Sequence, residues 1–229
     1  MSPALSASQT VALIDHLVRL SGLRERDPLL QALTQALADV TLASVVTTWS
    51  LVVDETDRFW LARTSCSPAA GFTVLADPMH VDHAALLPVA RSPERLQCIE
   101  QGQNVLTRLS LPGVEDWLVR LPVMIGTDPA PWGVVEIRLP VPPGEEVLLA
   151  ATRLVHVFSN MWGMLDYSER DALTGLWNRK SFDDLFFKTL PAAEPTGPGA
   201  TVADHREHPT GARFFLAMVD IDHFKQVND

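Results

Sequence analysis

The sequence predicts an α+β protein in which a small antiparallel sheet with flanking helices is closed by a long connecting helix, and the first helix and strand of a second, α/β domain follow. Three observations carry that expectation. Apolar residues recur at helical spacing in the opening segments, and paired runs rich in β-branched and aromatic residues fill the middle. A long striped segment from Gly144 then leads on to an isolated apolar run, FFLAMV, at Phe214–Val219. With 229 residues, of which 47% are hydrophobic and 20% charged, the chain is long enough for two ordinary domains with their own cores.

Residues 9–21 place Val11, Ile14, Leu17 and Val18 at helical spacing, and residues 28–40 do the same with Leu29, Leu30, Leu33 and Leu37. Asp27 before Pro28 reads as an N-cap and first-turn proline for the second helix. VVTTWSLVV at 45–53 and the stretch Phe59–Thr64 flank a polar DETDR turn and read as a hairpin. Arg91–Leu109 reads as helical at least in part, and Trp117–Ile125 and Trp132–Leu139 as strands around a DPAP turn. The connecting helix starts at Gly144–Glu145, after Pro142 and Pro143, with acids in the first turn where the helix dipole favours them. Along it Leu148, Ala151, Val155, Phe158, Trp162 and Leu165 alternate at spacings of three and four. That stripe suits either the seam of a two-stranded coiled coil or a helix packed on a sheet.

A formal net charge of −10 leaves no basic stripe to release counterions from a phosphate backbone, so neither nucleic acid nor an anionic membrane is expected as a partner. Val147–Leu165 is the nearest thing to a membrane span, yet Arg153, His156 and Asn160 interrupt it, and burying them in lipid is costly. The opening MSPALSASQTVALIDHL lacks the basic and apolar regions of a secretory signal, and the expected location is the cytoplasm. Cys66 and Cys98 form no C-x-x-C pair and read as two buried, reduced thiols.

By order of elements, residues 1–166 resemble a GAF domain, a small antiparallel sheet closed by a long C-terminal helix, here an exit helix over about 144–170. The resemblance implies a sensor and dimerisation module that takes an unknown small-molecule or protein signal. Within it His80 and His83, close to Asp77 and Asp82, sit beside Pro78 in a stretch where spacing fixes no third ligand. They read as surface loop residues. Cys66 lacks the C-x-x-C-H context of haem attachment, so no ligand is assigned to this module.

The segment Asp171–Lys180, DALTGLWNRK, resembles the entry signature of GGDEF diguanylate cyclase domains, with Lys180 where a second arginine is usual. Its chemistry suits a junction: Gly175 can take a backbone conformation closed to other residues, Leu173 and Leu176 supply anchors, and Asn178 can cap the helix that SFDDLFFKTL forms. Residues 191–211 hold too few apolar side chains to fold against anything and read as a flexible loop, longer than the connection usual in that family, with His205 and His208 inside it. FFLAMV suits a central strand buried on both faces. Asp220 ends it, where ligands gather in open α/β sheets, and Asp222 two residues on can face the same site.

The closing string DIDHFKQVND, Asp220–Asp229, resembles the D-[IVL]-D-x-F-K-x-[IV]-N-D segment of the same fold. Carried over, the resemblance makes Asp220, aided by the Ile221 carbonyl, the ligands of Mg²⁺, a hard ion that takes oxygen donors. It gives the backbone N–H groups of His223 and Phe224, with the Lys225 side chain, to phosphates, and Asn228 to the guanine edge. It further implies GTP as substrate, cyclic di-GMP as product, and a homodimer, because each domain holds half of the reaction centre. Residues 167–229 are expected to be the incomplete N-terminal part of such a domain. They contain no GG[DE]EF string, so no catalytic residue is assigned and the chain is expected to be inactive alone. A non-catalytic sensor and dimerisation module, or a degenerate nucleotide receptor, are the alternatives.

Overall fold

The structure is a computed structural model that describes residues 5–54, 57–76, 86–111, 114–126, 130–189 and 217. The first helix, α1 (Ala7–Gly22), opens on a capping box: the Ser6 hydroxyl accepts the Gln9 N–H at 3.2 Å, and the Gln9 side chain accepts the Ser6 N–H at 3.0 Å. The Gln9 amide also donates to the Val40 carbonyl at 2.8 Å, tying the start of α1 to the end of α2 (Arg26–Thr41). Asp27, expected as the cap, lies instead inside the first turn. The N-cap is Glu25, without a side-chain bond, and Pro28 lies in the first turn, where a missing N–H leaves no intrahelical bond unmade.

The hairpin read from 45–64 is β1 (Val45–Asp54) with β2 (Asp57–Ser67), and the later pair is β6 (Val114–Ile125) with β7 (Ala130–Leu139). Three further strands complete the sheet: β3 (Gly71–Val74), β4 (Leu87–Pro88) and β5 (Val105–Leu111). The described pairings are antiparallel, in the order β3-β2-β1-β7-β6-β5 with β4 on β2. Of Arg91–Leu109, Arg91 closes a short 3-10 turn (Val89–Arg91) and α3 (Pro93–Gln101) is the α-helix; Gly102, at φ 61°, ends it, and the chain turns into β5.

Alternation along the strands sorts side chains to two faces. Val46, Val119, Leu121, Val123, Val135, Ile137 and Leu139 meet Leu33 and Leu37 of α2 and Leu154 and Phe158 of α4 (Glu145–Glu169) in the main core. Between α2 and the sheet three buried hydroxyls satisfy one another: Thr34 bonds the Leu30 carbonyl and Thr64 at 2.8 Å each, and Thr64 meets Thr48 at 2.6 Å. The α4 stripe settles its two readings. Ala151, Val155, Phe158, Trp162 and Leu165 are buried in this core and Leu148 packs against it, so the chain's own sheet and helices cover the stripe and leave no seam there for a second chain.

Contacts divide the chain into two units, Met1–Thr189 and Leu190–Asp229. The first ends with α5 (Arg179–Thr189), the helix expected from SFDDLFFKTL. Of the second only Ala217 is described, an exposed residue within the predicted strand 214–219.

Candidate functional site

The sheet face turned away from α1, α2 and α4 carries a second, smaller core of Trp60, Val89, Cys98, Ile99 and Val134, with Trp49 and Leu96 packed on it. Into this face strand periodicity also turns two charges. Glu136 on β7 and Arg120 on β6 are direct cross-strand partners, and the Arg120 Nε donates to Glu136 Oε1 at 2.9 Å. Arg95 reaches down from α3 and forks onto the same carboxylate, Nε to Oε1 at 3.0 Å and Nη2 to Oε2 at 2.8 Å. Its guanidinium lies 3.6 Å from the centre of the Trp49 ring, a stacked cation–π pair. Arg120 spends its Nη1 on the Thr107 hydroxyl at 3.1 Å.

Arg95, Arg120 and Glu136 are all buried, so two cations share one anion and the cluster keeps a net positive charge out of water. Its donors also outnumber its acceptors. Arg95 Nη1, Trp49 Nε1 and Trp60 Nε1 are buried without a hydrogen-bond acceptor. An unmade bond at a buried donor costs about 1–3 kcal/mol, more where the group is charged, so a polar acceptor entering here gains what the chain leaves unmade. Cys98 lies beside the same groups. Burial pushes its thiol up to about 12, Arg120 pulls it down and Glu136 pushes it further up.

The second place of interest is the exit from α4. DALTGLWNRK folds there as a closed turn into α5. One carboxylate oxygen of Asp171 accepts the Thr174 N–H at 2.9 Å, the Thr174 hydroxyl at 2.8 Å and the Leu173 N–H at 3.2 Å, which holds the Asp171 carboxyl below the ordinary carboxylate range. Gly175 takes φ 69°, as its position required. Asn178 caps α5 by accepting the Ser181 N–H at 3.0 Å and reaches back to the Ser168 carbonyl at 2.7 Å. Leu173 and Leu176, expected as anchors, are instead 96% and 69% exposed; the turn is held by polar bonds.

Arg26, the first residue of α2, grips this exit from across the domain. Its Nε and Nη2 donate to Glu169 at 2.8 and 2.6 Å, and Nη2 also reaches Asp166 at 3.0 Å. Its guanidinium sits 4.9 Å from the Trp162 ring centre and 5.6 Å from that of Trp177. Burial disfavours the Arg26 charge, but the bonds to Glu169 and Asp166 outweigh it and its pKa is raised.

The residues carried over to metal and nucleotide, Asp220, Ile221, His223, Phe224, Lys225 and Asn228, lie outside the described residues, as do Asp77, His80, Asp82, His83 and the loop 191–211. Among the described residues no group of three or more His, Cys, Asp or Glu gathers to hold a metal, and no helix is long and apolar enough to cross a membrane. Cys66 and Cys98 are both buried free thiols, and Cys66 Sγ lies 3.5 Å from Gln35 of α2, on the face opposite the Arg95 cluster. Sequence reading missed Arg95, Glu136, Arg120 and Arg26. A signal existed for two of them, since Arg120 and Glu136 interrupt the apolar strands WLVRLPVMI and WGVVEIRL.

This mixed fold of helices on an antiparallel sheet matches GAF-like domains. Among solved structures it resembles the phytochrome photosensory core module of Stigmatella aurantiaca, at TM-score 0.53 and 18% identity over 73% of this chain. It also resembles the chromophore-binding domain of a bacteriophytochrome from R. palustris, at TM-score 0.54 and 12% identity over 73% of this chain. The GAF domain of an Acinetobacter phosphoenolpyruvate-protein phosphotransferase aligns at TM-score 0.49 and 17% identity, over 73% of this chain and 99% of that one. The match spans 39% of the Stigmatella chain and 65% of the R. palustris chain. At these identities the likeness is one of fold. No family model matches the chain, and no curated protein does.

Proposed function

We propose that the chain is the sensor and output junction of a GAF-regulated diguanylate cyclase, a nucleotidyltransferase that makes cyclic di-GMP from two GTP in bacterial second-messenger signalling. The observation that carries it is the turn Asp171–Asn178, which resembles the cyclase entry signature and joins the last helix of a GAF-like fold to α5 through a closed hydrogen-bonded joint. In this function Asp220 and the Ile221 carbonyl hold Mg²⁺, an oxygen donor set suited to it, and the ion offsets charge on the phosphates. His223, Phe224 and Lys225 hold phosphates, Asn228 reads guanine, and two chains pair so that two half-sites meet. The protein works in the cytoplasm, where GTP is.

The sensor half of this function holds equally for a non-catalytic output. Its signal is proposed to be an acceptor-rich anion at Arg95 and Trp49, since a net positive cluster with unmade donor bonds complements that chemistry. The R. palustris neighbour binds a chromophore; nothing in the Arg95 cluster requires one here.

The test uses GTP and Mg²⁺. The 229-residue chain contains no GG[DE]EF string and is expected to make no cyclic di-GMP. The same residues continued by a complete cyclase domain should make it, and Asp220→Ala should reduce that rate by two orders of magnitude or so, as loss of a metal-binding charge does. An extended protein that folds, pairs and yields no product rejects the cyclase and leaves the sensor.

A further inference from the structure

We propose that Arg26 is an ionic latch by which the sensor's α2 holds the helix–turn–helix exit, α4 to α5, in one arrangement, and that releasing the latch frees α5 from the domain. The latch goes beyond the cyclase proposal and does not depend on it, because every residue involved precedes Thr189.

Local electrostatics make the case first. Helix N-termini favour acids and C-termini favour bases. At the end of α4 the sign is reversed: its last turn carries Asp166 and Glu169 and no base, while Arg26 at the start of α2 sits between Glu25 and Asp27. The two α4 acids are locally unfavourable and become favourable when Arg26 pairs with them, so they answer to the joint rather than to their own helix. The two ends are 143 residues apart in sequence, and only the fold brings them together.

Geometry then ties the pair to the exit. Trp177, beyond the turn, lies over both Arg26 at 5.6 Å and Arg170 at 5.0 Å, and Arg170 in turn bonds Asp166 at 3.3 Å and the Gly175 carbonyl at 2.8 Å. With Leu173 and Leu176 out in solvent, no apolar core holds the turn against the domain. What does hold it is the Arg26 grip on α4's last turn, the Trp177 stack and the backbone bonds of the turn, Asn178 N–H to the Glu169 carbonyl at 2.8 Å among them. On the other side Arg26 stacks on Trp162, which touches Trp132 of β7 at 5.2 Å between ring centres. A continuous row, Trp132–Trp162–Arg26–Trp177, therefore runs from the sheet to the exit. A shift of the sheet or of the start of α2 is felt at α5 through one guanidinium.

Amide hydrogen exchange on the 229-residue chain tests this. In Arg26→Gln the amides of Gly175, Asn178 and Phe182 should exchange roughly tenfold faster or more, the loss expected when a charge-assisted fork goes. Those of Leu33, Leu37, Val135 and Ile137 should keep wild-type protection. The double variant Asp166→Asn, Glu169→Gln, which leaves α2 untouched, should reproduce the pattern. Added salt should quicken exchange at the turn in the wild type and not in Arg26→Gln. Unchanged exchange at Gly175 and Asn178 in both variants overturns the latch. So does an equal rise across α2 and β7, because Arg26 then merely stabilises the domain.

Discussion

Cys98 illustrates what surroundings do to a single side chain. A thiol near the Arg120 guanidinium could be a thiolate, yet burial dominates and its pKa rises to about 12, with Sγ donating to the Gln103 carbonyl at 3.3 Å. The Cys66 thiol is raised as well, by burial and by Asp39. Neither thiol should react with iodoacetamide in the folded chain at neutral pH, and both should react in urea. The sign of the pH effect on stability follows. An unfolded cysteine ionises near 8.5. Between that value and about 12 the unfolded chain sheds a proton that folded Cys98 keeps, so stability is full at neutral pH and falls as pH rises through that window. Urea unfolding followed across it should show the decline, with a shallower slope in Cys98→Ala. An equal slope in that variant would mean that Cys98 is not the titrating group.

Among the elements, the β1–β7 pair depends on one glycine. A Cβ on Gly133 would collide with the Trp49 carbonyl oxygen and lie 2.9 Å from Ser50 Cα, in the strand segment that presents Trp49 to Arg95. Gly133→Ala should therefore destabilise by about 1–3 kcal/mol, the usual cost of overpacking, and disturb the Trp49–Arg95 stack. Thermal unfolding reads the first effect and tryptophan fluorescence the second. The long strands β1, β2, β6 and β7 were legible in the sequence because alternation and turn residues mark them locally. The short β3 and β4 were not, since they are strands only by pairing with β2, and β5 was hidden because Gly102 ends a helix inside a run that reads as one segment. The Arg95–Glu136 pair was illegible for the same reason as Arg26–Glu169: its partners are 41 residues apart and no periodicity links them.

Over the whole molecule, the apolar surface left for a second chain is not where the α4 stripe suggested. α1 carries two stripes. Leu13, Leu17 and Leu20 turn into the core, while Val11, Ile14 and Val18, again at spacings of three and four, are exposed. The α4 side chains Leu149, Met164 and Tyr167 are exposed as well. α1 packs on α4, with the Leu5 N–H on Glu146 at 2.9 Å at their common starting end, so both helices run the same way. If the proposed homodimer pairs through helices, the outward α1 stripe is the seam, because the inward residues of both helices are already used. Ile14→Glu with Val18→Glu should then shift the chain from dimer to monomer in sedimentation while changing folding stability by no more than about 0.5 kcal/mol, as for surface positions. Leu154→Ala should do the converse, costing about 2–5 kcal/mol of stability through a core cavity while leaving the surface intact. A wild-type chain that sediments as a monomer would reject the homodimer, and a dimer that survives both α1 substitutions would move its interface elsewhere.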